Sequence, residues 1–313
     1  STKLFDSKFI ENMSNHYINI INNFLNNTTI KIADIDMLSL QEKNQILYQF
    51  NNTFADFSRQ KTVAELFEEQ VERTPNAIAI ECDNKKLTFL EFNQKANQLA
   101  RMLRNKGVGR NDFICIVAKR SIEMMIGIFG IIKAGAAYVP IDPNYPTDRK
   151  NHILQDSNPK VVLLANAEIE TSIPKIDLRK EEYIKEGNTN LDLINDPEDA
   201  IYCIYTSGTT GKPKGVINKH IGLINRILWM NSRYPISEGD AILQKTTYCF
   251  DVSVWEIIWW SFVGAKVCLL KIDGEKNPIE ILEAIEKYKI TTIHFVPSML
   301  NIVLQYIKEL NNL

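Results

Sequence analysis

The sequence predicts an α/β protein, with mainly parallel β-sheet layers flanked by helices and a helical segment at the N-terminus. Three observations predict it. From about residue 62, short apolar runs alternate with amphipathic runs of helical period, the pattern of a parallel sheet with helices on its faces. Residues 1 to about 60 lack that alternation and are rich in asparagine. A loop dense in glycine and hydroxyls follows directly on a buried-strand pattern, the place where open α/β sheets bind ligands.

Taken in order, "FIENMSNHYINIINNFLNN" places Phe9, Met13, Tyr17, Ile20, Ile21 and Phe24 on one helical face and mostly asparagine on the other. A short helix is expected from Ser39, which suits an N-cap. No chemistry is visible in this region, which reads as a linker or the tail of a preceding domain. "TVAELFEEQVERTP" is an amphipathic helix with a proline stop, and "AIAIEC" a strand. Thr88 and Glu91 form a capping box. It opens a helix whose buried stripe is expected at Leu90, Ala96, Leu99, Ala100 and Leu103, ending at Gly107. "FICIVA" is a strand, and "SIEMMIGIFGIIKAG" a helix stopped by Gly135. "KVVLLA" and "AIYCIY" continue the strand series, and a helix is expected near "HIGLINRILWMN". Asn277 and Pro278 open another helix, and "TTIHFVP" reads as a strand.

The chain has 313 residues, enough for one large domain or two ordinary ones. Lys+Arg number 36 against 38 Asp+Glu, a net charge of −2. That balance makes no case for nucleic acid or an anionic membrane as the main partner. Cys82, Cys115, Cys203, Cys249 and Cys268 lie far apart with no CxxC pair. They read as buried free thiols of a reducing, cytoplasmic compartment. The longest apolar run, Met124 to Ile132, is too short to span a bilayer.

The loop "YTSGTTGKPKG" runs from Tyr205 to Gly215. Gly208 and Gly211 allow backbone N–H groups to face an anion without an intervening Cβ. Thr206, Ser207, Thr209 and Thr210 add hydroxyl donors, and Lys212 and Lys214 add charge. The spacing is neither that of a Walker loop nor that of a dinucleotide loop. A surface loop without a ligand is the competing reading; its position after a buried strand favours phosphate. Further on, Ser253 and Glu256 stand as a capping box for a helix from Val254, with Asp251 as an acid favouring that helix N-terminus. On residues alone, Trp255, Trp259 and Trp260 are core, and His294 is a satisfied histidine in an apolar strand.

"YTSGTTGKPKG" resembles the phosphate loop of the adenylate-forming superfamily. "KAGAAYVPIDPNYP", "FDVSVWEI" and "LTFLEFNQKANQLARML" resemble further motifs of its nonribosomal peptide synthetase adenylation domains. The resemblance covers residues 61–313 and implies the N-terminal part of such a domain; residues 1–60 resemble the end of a condensation domain and its linker. The implied activity is ATP-dependent activation of an amino acid as an aminoacyl-adenylate, with Mg²⁺ assisting. The product would load onto the phosphopantetheine thiol of a partner carrier protein. The resemblance implies that Thr206 to Lys214 clamp the outgoing pyrophosphate. It implies that Asp251 meets the substrate ammonium, and that Phe250, Val252, Trp255 and His294 belong to the substrate pocket.

Aspartate, valine, tryptophan and histidine in that order resemble the family's pocket signature for L-serine. The family's metal-binding glutamate, ribose aspartate and catalytic lysine, with its other pocket positions, would follow Leu313. No catalytic or metal-ligating residue is therefore assigned within these residues, and by themselves they are expected to turn over little. A fatty-acyl or aryl-acid ligase of the same superfamily, and a non-catalytic docking module, stay open as alternatives.

Overall fold

In the computed structural model, residues 4–207 and 211–311 are described. They fall into two compact units, Ser1–Asp56 and Phe57–Leu313.

The first unit is helical. Helix α1 (Ser7–Asn26) is capped by Asp6, whose carboxylate accepts from Phe9 N. Helix α2 (Leu40–Asn44) opens with a Ser39–Glu42 capping box and runs into a π-helical turn at Gln45–Gln49. The asparagine face of α1 has a structural use. Asn19 and Asn23 donate side-chain hydrogen bonds to the carbonyls of Met37 and Asp36, and His16 meets Glu42 at 2.7 Å.

The second unit begins with α3 (Val63–Arg73), capped by the Thr62–Glu65 box, then β1 (Ile78–Cys82), β2 (Lys85–Thr88) and α4 (Phe89–Asn105). The Thr88–Glu91 box is present, and the helix it starts buries Phe89, Phe92, Ala96, Leu99, Ala100 and Leu103. Leu90, expected in that stripe, is 40% exposed. The helical period from Phe89 takes positions 92, 96, 99 and 103 inward, and Leu90 lies about 100° away. There follow β3 (Phe113–Ala118), α5 (Ile122–Ala134, stopped at Gly135), β4 (Ala137–Ile141) and α6 (Thr147–Ser157). Next come β5 (Val162–Ala165), β6 (Lys175–Asp177), β7 (Ala200–Thr206), β8 (Lys214–Lys219) and α7 (His220–Arg233). The last elements are β9 (Ala241–Gln244), α8 (Ser253–Ile258), α9 (Trp260–Val263), β10 (Lys266–Leu269), α10 (Pro278–Tyr288) and α11 (Pro297–Asn311).

Two sheets result. One has the order β6-β5-β3-β4-β7-β8 and the other β2-β1-β10-β9. Pairing is parallel except at β7–β8 and β1–β2, which sit at sheet edges. The stretch "TTIHFVP" does not form a strand: Thr292 makes one bridge to Ile242 and the ladder stops. Thr291 and Thr292 N–H both donate to Ala241 O, the Thr291 hydroxyl accepts from Ala241 N, and Pro297 starts α11.

The core is aromatic where α3, α4, α5 and α9 meet. The rings of Phe67, Phe89, Phe92, Phe129 and Trp260 pack edge-on or tilted, with contacting centroids 4.9 to 6.4 Å apart. Such ring pairs add about 0.5–1.5 kcal/mol beyond area burial. Beside them Lys133, its side chain 1% exposed, pairs with Glu68. All five cysteines are free. No helix among the described residues is long and apolar enough to cross a membrane.

Candidate functional site

Strand β7 is buried from Ala200 to Tyr205 and ends at the exposed Thr206, which Ser207, also exposed, follows. The chain then turns back instead of entering a helix directly. Lys214–Lys219 form β8, antiparallel to β7, with Tyr205 opposite Gly215 and Thr206 opposite Lys214. This hairpin leg was not legible in the sequence. Gly211 has φ 85°, a left-handed conformation that glycine adopts without strain. Lys212 and Lys214 are exposed and form no ion pair among the described residues. Gly208, Thr209 and Thr210 lie outside the described residues.

The segment leading to Asp251 is fixed from both sheets. The Tyr248 hydroxyl accepts from Ala118 N at 2.8 Å and donates to Ile141 O at 2.6 Å, at the carboxyl ends of β3 and β4. Glu256, fully buried, accepts from Thr246 N at 2.9 Å, Lys245 N at 3.1 Å, Gln244 Nε2 at 3.2 Å and the Thr246 hydroxyl at 2.6 Å. Arg120 donates to Gln244 Oε1 at 2.8 Å, to Lys245 O, and to Leu270 O at 3.2 Å. Burial raises Glu256 above the usual carboxylate range, and these donors pull against that rise.

The expected Ser253–Glu256 capping box is therefore absent. Ser253 begins α8 and donates its hydroxyl to Phe250 O at 2.6 Å, and Val252 at the cap is already helical. The physical reason is competition: the 244–246 turn presents several donors in a dry interior, where leaving them unpaired is costly.

A cavity of about 900 Å³ gathers four of the five predicted pocket residues: Asp251, Val252, Trp255 and His294. Phe250 is 60% exposed and outside this lining. The Trp255 and His294 rings meet edge to face, 6.0 Å apart at 84°. Burial, and secondarily the Lys245 ammonium, lower the His294 pKa, so the ring is neutral near pH 7. Asp251 is exposed. Burial, with the Asp251 charge as a smaller cause, pushes the Tyr202 hydroxyl up to about 12.

Several lining residues escaped the sequence reading, among them Tyr202, Asn218, Arg226 and Trp229. Tyr202 was hidden in a strand pattern, and Asn218 lies on the unread β8. Arg226 and Trp229 were visible only as an i, i+3 pair; the guanidinium stands 4.7 Å over the indole. The β7–β8 hairpin thus runs from the cavity to the glycine-rich loop. Tyr202 and Asn218 line the cavity, and Thr206 and Lys214 begin the loop, about 13 Å further along the strand. Among the described residues no group of three or more His, Cys, Asp or Glu is placed to hold a metal ion.

Residues 67–312 match the family model described as AMP-binding enzyme. A mycosubtilin synthase subunit of Bacillus subtilis is 43% identical over 309 residues, 97% of this chain and 12% of that protein. Zwittermicin A synthase ZmaJ of Bacillus cereus is 50% identical over 249 residues, 78% of this chain and 47% of that protein. The chain therefore spans less than half the length of either relative. A solved four-domain nonribosomal peptide synthetase, bound to AMP and glycine, superposes with a TM-score of 0.85 at 26% identity, covering 97% of this chain and 23% of that one. The chain belongs to the AMP-binding enzyme family and, within it, to the adenylation domains of nonribosomal peptide synthetases.

Proposed function

We propose that this chain supplies the ATP-phosphate loop and the amino-acid cavity of an amino-acid adenylating ligase, and that its substrate is L-serine. One observation carries the reading: a single hairpin bears the lysine-flanked loop at its turn and part of the cavity wall on its legs. A carboxylate held in the cavity and a triphosphate held by the loop would react at the α-phosphorus between them. Thr206, Ser207, Lys212 and Lys214, with Gly208, Thr209, Thr210 and Gly211, neutralise the departing pyrophosphate. Their work is positioning and charge stabilisation rather than covalent chemistry.

Asp251 pairs with the substrate ammonium, which speaks against an aryl or fatty acid. Val252 and Trp255 give apolar walls. The neutral His294 ring hydrogen-bonds the serine hydroxyl. The cavity is larger than serine, so selection rests on the hydrogen bond rather than on volume, and a site built to pair a hydroxyl rejects the analogue lacking it. The aminoacyl group then passes to the phosphopantetheine thiol of a carrier protein, and residues 1–60 connect to a condensation domain. Calorimetric titration of the intact protein with L-serine and L-alanine, each with ATP present, tests the substrate. Serine binds more tightly in this reading; equal or reversed affinities refute it.

A further inference from the structure

The residues that bracket the phosphate loop are both held by one face of α6. On the leading side, the Tyr205 hydroxyl donates to Asp156 Oδ2 at 2.6 Å. On the trailing side, His152 Nε2 is 2.9 Å from the carbonyl oxygen of Pro213 and donates to it. His152 and Asp156 are four residues apart, one helical turn on the same face. The His152 and Tyr205 rings meet edge to face, 6.3 Å apart at 87°.

The opposite leg is shaped to admit this arrangement. Gly215 pairs with Tyr205, and a Cβ there would lie 3.1 Å from the Tyr205 ring and 2.7 Å from Cys203 Sγ. Any larger residue would push the ring off its carboxylate. Burial, and then the Asp156 hydrogen bond, raise the Tyr205 pKa, so the hydroxyl stays protonated and remains a donor.

We propose that His152 and Asp156 are positioning residues for the phosphate step, bracing the two legs of the β7–β8 hairpin so that Thr206 and Lys214 face one anion before it arrives. Neither side chain touches the phosphates; each acts through Tyr205 or Pro213. Ordering a loop at the moment of binding lowers affinity, and legs fixed in advance remove part of that cost. The inference rests on reading this loop as the phosphate site.

The test is amino-acid-dependent ATP–pyrophosphate exchange by the intact protein, paired with hydrogen exchange of residues 204–216 with and without MgATP. Tyr205→Phe, Asp156→Leu and His152→Ala each raise the KM for ATP about tenfold, the loss of one charge-assisted or buried hydrogen bond, and leave the amino-acid KM unchanged. Asp156→Asn, which keeps an acceptor, and His152→Gln, which keeps a donor, restore most of the ATP affinity. ATP and amino-acid KM values that rise together, with a lowered Tm and no rescue, overturn the brace in favour of a merely structural contact. Protection by MgATP that is equal in wild type, Tyr205→Phe and Asp156→Leu overturns the brace while leaving the phosphate loop standing. Absence of such protection in wild type overturns the phosphate reading and the brace with it.

Discussion

Glu256 Oε2 lies 2.9 Å from the backbone nitrogen of Thr246, ten residues earlier in the chain. The same carboxylate takes Lys245 N, Gln244 Nε2 and the Thr246 hydroxyl, so the helix that follows Asp251 is fastened to the end of β9. Glu256→Leu leaves these donors unpaired in a dry interior, each at about 1–3 kcal/mol. The expected result is a clear fall in Tm and a raised amino-acid KM. A variant as stable as wild type would show that water replaces the carboxylate.

His220 is fully buried; Nδ1 accepts from Val63 N at 3.2 Å and Nε2 has no partner among the described residues. Burial lowers its pKa from 6.5 to about 4. The unfolded chain takes up this proton below about pH 6.5 and the folded chain only near pH 4. Stability is therefore full above pH 6.5 and declines across that window, by about 3 kcal/mol at most. His220→Gln keeps an acceptor for Val63 and removes the titration. Denaturant unfolding at pH 7.5 and pH 4.5 should show a smaller acid loss in the variant than in wild type.

Lys133 and Glu68 form a pair in which the lysine side chain is almost wholly buried. Burial pulls the Lys133 pKa down to about 8 even with Glu68 beside it. Removing one partner of a buried pair costs about 3–5 kcal/mol, whereas replacing both with apolar groups is often close to neutral. Unfolding of Glu68→Ala should thus be easier than unfolding of the Glu68→Leu/Lys133→Leu double variant. The reverse order would mean that the ammonium finds water.

On the substrate side, Asp251→Ala should weaken amino-acid binding roughly tenfold to a hundredfold, the loss of a charge-assisted contact. His294→Leu should harm serine far more than alanine, because only serine loses a hydrogen bond. Equal losses for both amino acids would make His294 a packing residue. Binding assays on the intact protein separate these outcomes.

Much of this was legible in the sequence for local reasons. The Thr88–Glu91 box and the Ser39 N-cap act through backbone groups three residues away, so local sequence alone specifies them. Ser253–Glu256 has the same spacing and does otherwise, because the donors that capture Glu256 come from β9 and its turn. Strand β8 was missed since its residues are largely exposed and show no apolar alternation; its pairing with β7 creates it. Asp251, Val252, Trp255 and His294 line one cavity, whereas Phe250 stays outside it. Arg226 and Trp229 reach the cavity through the placement of α7, which no local pattern encodes.

Whether the hairpin loop and the Asp251 cavity serve one reaction is read most directly from ATP–pyrophosphate exchange across a panel of carboxylic acids. Exchange by the intact protein is expected to depend on an amino acid, to be greatest with L-serine, and to collapse when Lys214 and Asp251 are each replaced by alanine. Exchange supported by an aryl or fatty acid and indifferent to Asp251→Ala, or no exchange with any amino acid, would contradict it.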